Sequence, residues 1–168
     1  LCSMESNTEL TTICYLEQKC KYLMLHRTKK QHDINKDKWI GIGGHFEYGE
    51  SPEECIQREM TEECGITLSD PVLRGIISFV SDLPVCVYMF LFTATAYKGE
   101  LLKDCNEGDL EWVDKNELLK LPLWTGDKIF LKLLGTREEF FSLKLCYDGD
   151  KLVKAVLDGN EIDPKAYC

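Results

Sequence analysis

Three glutamates, Glu59, Glu62 and Glu63, stand at positions i, i+3 and i+4 within the stretch Ser51–Gly65. On a helix that spacing puts three carboxylates on one patch of one face. Like charges so placed repel, and a helix carrying them bare is weakened. A divalent cation reverses the sign of that interaction. An all-oxygen ligand set with high negative charge favours a hard ion, Mg²⁺ or Mn²⁺. Taken alone, such a cluster is more often a solvated helix face, so its setting decides.

The setting is a helix with defined ends. Ser51 is a good N-cap, with Glu54 three residues on as its capping-box partner. Pro52 falls at the first helical position, where its missing N–H costs nothing. Gly65 suits the left-handed position that closes a helix. Just upstream, Trp39–Gly44 reads as a short glycine-rich strand, where backbone can come close to a ligand.

Gly44, five residues, Glu50, seven residues, then Arg58-Glu59-Met60-x-Glu62-Glu63-x-Gly65-Ile66 resembles the Nudix box at every fixed position. The resemblance covers roughly residues 8–135 and implies an α+β fold, the Nudix α/β/α sandwich with a mixed sheet. It implies Mg²⁺-dependent hydrolysis of a phosphoanhydride, with Mn²⁺ as an alternative ion. Glu59 and Glu63 would be the main metal ligands and Glu62 a further or water-mediated one, with the Gly43 carbonyl completing the set. Glu50 and Arg58 would form the pair that ties loop to helix, a structural support beside Gly44. A downstream carboxylate often joins as ligand or general base; Glu107, five residues before Trp112, stands in that relation, with Glu111 a weaker candidate.

Within the family, the chain looks closest to MutT-like hydrolases of oxidised purine nucleoside triphosphates. Leu123-Trp124-Thr125-Gly126-Asp127 resembles their base-binding segment, in which a tryptophan stacks on the purine and an aspartate bonds its edge. Trp124 reads equally as a staple for the following helix, with Asp127 in its first turn. His26-Arg27 matches positions lining the nucleotide pocket, which makes Arg27 a candidate phosphate or base contact. His45 stands where many relatives carry lysine. The expected reaction releases monophosphate and pyrophosphate from a nucleoside triphosphate. ADP-ribose or a dinucleoside polyphosphate is the alternative substrate class, and a non-enzymatic nucleotide sensor ranks last because the box is complete.

The remaining chain must position these residues. Thr11–Leu16 and Tyr22–His26 read as strands joined by a polar turn, and Arg27–Lys38 as a charged loop. Val72–Val80 and Val85–Ala96 are β-rich runs around a turn-rich Ser81–Pro84. Short strands are expected at Gly99–Leu102 and Leu110–Val113, a brief helix at Lys115–Lys120, and a longer one at Asp127–Leu134 from its apolar stripe. Beyond residue 135, Leu143, Leu145 and Tyr147 alternate with polar residues before Asp148-Gly149 and Leu152–Leu157. That pattern predicts a β-hairpin extension over 136–168, packed on the core or paired across a homodimer.

A net charge of −9 leaves no basic footprint for a nucleic-acid polymer, yet a metal-borne nucleotide remains compatible. No apolar run is long enough for a membrane span, and the N-terminus lacks a signal-peptide layout, with Met4 reading as the natural start. Nine scattered cysteines without a C-x-x-C pair read as free, mostly buried thiols in a reducing cytoplasm. Cys55 and Cys64 read as packing residues.

Overall fold

The computed structural model describes residues 6–29 and 31–167, with the backbone alone at residue 104. Cys2, Met4, Lys30 and Cys168 lie outside the described residues. In chain order the elements are β1 (Asn7–Gln18), β2 (Lys21–Arg27), β3 (Trp39–Ile40), β4 (Ile42–His45), α1 (Pro52–Cys64), β5 (Thr67–Ser69), β6 (Val72–Val80) and β7 (Val85–Ala94). There follow β8 (Ala96–Lys98), β9 (Asp104–Cys105), β10 (Gly108–Asp114), a 3₁₀ turn at Leu118–Lys120, α2 (Thr125–Thr136), β11 (Phe141–Asp148), β12 (Lys151–Leu157) and β13 (Asn160–Ile162). Parallel and antiparallel pairs both occur, so the class is α+β with mixed pairing. The chain divides into two compact units.

The first, here the box unit, comprises Thr12–Val72 and Phe92–Leu123. Here β2 is flanked by β1 and β10, β9 adds to β10, and β3 and β4 pair with β2 and β1. The β1–β2 turn places Lys19 and Cys20 at φ 50° and 62°, the double left-handed shape that matches strand twist in tight hairpins. Helix α1 begins as its sequence demands: the Ser51 hydroxyl accepts the Glu54 N–H at 3.1 Å, and Gly65 closes it at φ 72°. The helix buries Cys55, Ile56, Met60 and Cys64. Tyr15, Leu16, Leu23, Met24, Leu25 and Ile42 are buried with them in this unit. These thiols are free and packed, and burial, with the charge of Glu63 behind it, pushes the Cys64 thiol up to about 12.

One expected strand does not form. Gly99–Leu102 is irregular, and the strand lies just before it as β8, paired antiparallel with β5. The reason is a competing partner: the Leu102 N–H donates to the Cys64 carbonyl at 2.9 Å, satisfying the open end of α1 instead of a ladder.

The second, here the hairpin unit, comprises residues up to Thr11, Leu73–Leu91 and Trp124 onward. Its strands run β13-β12-β11-β6-β7. β11 lies parallel to β6 and antiparallel to β12. The expected alternation holds along β11, where Phe141, Leu143, Leu145 and Tyr147 are buried. Asp158-Gly159 turns the chain a second time into β13, which the sequence reading missed. α2 buries Ile129, Phe130, Leu133 and Leu134. The Tyr147 hydroxyl accepts the Gly126 N–H at 2.8 Å and so caps α2 from the hairpin. No helix among the described residues is long and apolar enough to cross a membrane.

Candidate active site

The three clustered glutamates of α1, Glu59, Glu62 and Glu63, differ in their surroundings. Arg58 gathers two of them. Its Nη1 donates to Glu59 Oε1 at 2.9 Å and to Glu62 Oε2 at 3.1 Å. Its Nε and Nη2 fork onto Glu50 at 2.7 and 2.9 Å, and Nη2 also reaches the His45 carbonyl at 2.9 Å. The bidentate geometry is the strong form of an arginine–carboxylate pair. It holds the Glu50 carboxyl below its ordinary range and the Arg58 guanidinium above its own. The loop from His45 to Glu50 is thereby tied to the helix.

Glu59 is buried, whereas the Glu62 side chain is 57% exposed. Gly44 makes room for the former: a Cβ there would stand 2.5–2.7 Å from the Glu59 carboxylate. Any side chain at 44 would displace that carboxylate. Gly43, the expected carbonyl ligand, backs directly onto the backbone of Thr12 where β4 pairs with β1.

Glu63 adjoins Glu59 but takes none of the Arg58 bonds described above. Its Oε2 is buried with no hydrogen-bond partner among the described residues. Burial pushes this carboxyl up to about 8, the charges of Glu107 and Glu59 add to the rise, and Arg27 opposes it. An unmade hydrogen bond on a buried carboxylate is costly.

Glu107 comes from a distant turn, and the strand register carries it there. Gly108 of β10 lies opposite Arg27 of β2. A Cβ at 108 would sit 1.8 Å from the His26 carbonyl oxygen, so only glycine lets the two strands close. Arg27 Nη1 then pairs with Glu107 Oε2, and its Nε donates to Asp33 Oδ2 at 2.5 Å. Burial works against the charge on Arg27, but Asp33 and Glu107 overcome it and hold the guanidinium firmly protonated. Asp33 was not among the residues singled out from sequence. A lone aspartate in a charged loop carries no local signal of a partner at Arg27. Of the neighbouring candidates, Glu111 lies on β10 opposite Met24, and His26 stacks on Trp39 at 4.4 Å between ring centres.

Trp124 and Asp127 belong to the hairpin unit. Trp124 is the N-cap of α2 and meets the Tyr147 ring edge-on, centroids 5.7 Å apart. Asp127 is buried in the first turn of α2.

The donor set around α1 suits a hard cation. All its side-chain donors are carboxylate oxygens, one is buried without a partner, and Arg58 offsets only part of their charge. Among the described residues no three acidic, histidine or cysteine groups are gathered into a ready-made cage, since Arg58 draws Glu59 and Glu62 toward itself.

Known proteins resemble this chain in sequence and fold. The NUDIX domain profile matches residues 8–134. An uncharacterized Nudix hydrolase of Bacillus subtilis, YvcI, is 34% identical over 120 residues, covering 69% of this chain and 72% of that protein. An oxidized purine nucleoside triphosphate hydrolase of Danio rerio is 26% identical over 131 residues, 77% of this chain and 83% of that one. The crystal structure of a MutT protein from Bacillus halodurans superposes with a TM-score of 0.80 at 34% identity, covering 89% of this chain and 97% of that chain. The chain therefore belongs to the Nudix hydrolase family, and it is a MutT-like pyrophosphohydrolase. The share matched to the Bacillus halodurans structure is larger than residues 1–134 could supply, so the likeness runs into the hairpin beyond the domain profile.

Proposed function

We propose that the protein hydrolyses a purine nucleoside triphosphate to the monophosphate and pyrophosphate with the help of Mg²⁺. The observation that carries this reading is the buried Oε2 of Glu63, without a hydrogen-bond partner among the described residues and in the field of Glu59 and Glu107, where a bound cation would favour the ionised carboxylate. Mg²⁺ bound there would neutralise phosphate charge and acidify a coordinated water.

Glu59, Glu63 and Glu107, with Glu62 once released from Arg58, would hold the ion, together with the Gly43 carbonyl. Glu107 is alternatively the proposed general base for the attacking water. Phosphoanhydride cleavage asks a protein mainly for positioning and charge neutralisation. The Arg58–Glu50 fork serves the first need by fixing α1 and its preceding loop. Trp124 and Asp127 are the proposed base contacts. Support for the purine comes from the Trp124–Asp127 motif and from the Danio rerio relative, named for oxidized purine nucleoside triphosphates. A small nucleotide is the partner, and a reducing cytoplasm suits the free thiols.

The test is a hydrolysis screen with Mg²⁺ over nucleoside triphosphates, oxidised analogues, ADP-ribose and dinucleoside polyphosphates, with products identified by mass. Monophosphate plus pyrophosphate supports the proposal. Monophosphate plus ribose phosphate moves the protein to the ADP-ribose class. Binding without turnover marks a sensor.

A further inference from the structure

Arg27 is spent on carboxylates. Its side chain is 13% exposed, that of Asp33 7% and that of Glu107 22%. A salt-bridged trio this sheltered fixes geometry more than it adds stability, because desolvation offsets much of the attraction. The backbone around it is closed just as firmly. Arg27 N donates to the Lys38 carbonyl at 3.0 Å, and Asp37 N returns to the Arg27 carbonyl at 2.7 Å. The Asp33 carboxylate is itself aimed, since its Oδ1 accepts the Asn35 N–H at 3.0 Å while Oδ2 takes Arg27. Lys29 adds a second tie, its N donating to the Glu107 carbonyl at 3.3 Å and its Nζ to the Cys105 carbonyl at 2.7 Å. Arg27 Nη1 and both Lys29 bonds reach the turn that carries Glu107, and the remaining bonds close the 27–38 loop behind them.

We propose that Arg27 and Asp33 are positioning residues of the hydrolytic site: the Asp33–Lys38 stretch folds back to orient Arg27, and Arg27 holds the Glu107 carboxylate beside Glu63. Arg27 thus acts through Glu107 and not as a grip on the substrate phosphate. The role rests on the hydrolase reading above, in which Glu107 works at the reacting centre. On this role an arginine does what a lysine of the same charge would not. Two carboxylates are bound in two fixed directions, from Nε and from Nη1, and a single ammonium lacks that fork.

The experiment compares parent, Asp33→Ala, Arg27→Lys, Glu107→Gln and the Asp33→Ala/Glu107→Gln double variant. Amide hydrogen exchange is read on the metal-free proteins, with Phe141–Asp148 as an internal check on folding. In Asp33→Ala and in Arg27→Lys the Cys105–Gly108 amides should exchange at least about tenfold faster. Steady-state kinetics should show kcat down about 10–100-fold, the usual cost of losing an outer partner of a reacting group, with KM within about twofold. In the Glu107→Gln background, Asp33→Ala should add less than about threefold, because both act through one carboxylate. Unchanged exchange at 105–108 overturns the proposal. So does a raised KM with kcat kept, which would make Arg27 a substrate contact, and so does a fully multiplicative loss in the double variant. If the parent turns over no nucleotide, the hydrolase reading fails, and the exchange data alone decide whether Arg27 and Asp33 hold Glu107.

Discussion

Arg58 and Arg137 both collect polar partners at the end of a loop, one in each unit, but they leave different things behind. Arg137 ties the end of α2 to the hairpin: it donates to the Phe140 carbonyl at 3.0 Å and to Asp158 at 2.7 Å, and lies over the Phe141 ring at 5.6 Å. Arg74 in turn donates to the Arg137 carbonyl at 2.5 Å. Each partner is matched, so this cluster does structural work only. Arg58 satisfies Glu50 and shares itself between Glu59 and Glu62, while Glu63 one turn on has a buried oxygen unmatched. A structural network closes on itself. The α1 network keeps one polar group open, at a cost in stability, and that group is where the proposed chemistry would sit.

The largest effect that would break this contrast lies at the open group. Glu63→Gln and Glu59→Gln should each lower kcat by about 10²–10⁴-fold, the range of groups acting directly in the reaction, without lowering the Tm of the metal-free protein. A variant that keeps the parent rate removes its glutamate from the site. Next, Arg58→Met should cost both activity and about 1–3 kcal/mol of stability, because it strands Glu50 and Glu59, whereas Arg137→Met should cost about 0.5–1.5 kcal/mol with kcat unchanged. Denaturant unfolding beside steady-state rates separates the two. Trp124→Ala should raise KM for purine triphosphates by about 5–100-fold, the worth of one stacked base, and leave KM for ADP-ribose less affected. Equal shifts for both would make Trp124 a staple for α2.

The smallest effect is a pH dependence in the hairpin unit. The Ser142 N–H, and after it Arg137, hold the Asp158 carboxyl below the usual aspartate value. A depressed carboxylate contributes stability that is complete above the unfolded value, near 3.9, and fades as pH falls through the lower folded value. Asp158→Asn should therefore lower stability near neutral pH and converge with the parent in acid. Asp158 is half exposed to water, so the difference should stay within about 0.5 kcal/mol by thermal unfolding. A gap that persists unchanged in acid would assign the effect to packing.

What could be read from sequence follows the reach of each interaction. Both ends of α1 were legible because Ser51, Pro52 and Gly65 act on backbone within one turn. The alternation of Leu143, Leu145 and Tyr147 gave away β11 because a strand repeats every two residues. Gly99–Leu102 was misread because Leu102 spends its N–H on α1, a partner no local pattern announces. β13 lies beyond the expected hairpin although Asp158-Gly159 is itself a hairpin turn signal. At the site, the spacing of Glu59, Glu62 and Glu63 said that they share a helix, but not that Arg58 would occupy two of them. The Arg27–Glu107 pair, 80 positions apart in sequence, is a product of the β2–β10 register.

That register has a wider consequence. Alanine for Gly108, a single added methyl, would wedge β10 away from β2 and carry Glu107 off with it. The signature from Gly44 to Ile66 would be untouched. On the proposed role of Glu107, a homologue with that exchange would pass every motif scan as a competent member of its family while its chemistry had gone silent, so position 108 belongs in any test that sorts working copies from relics.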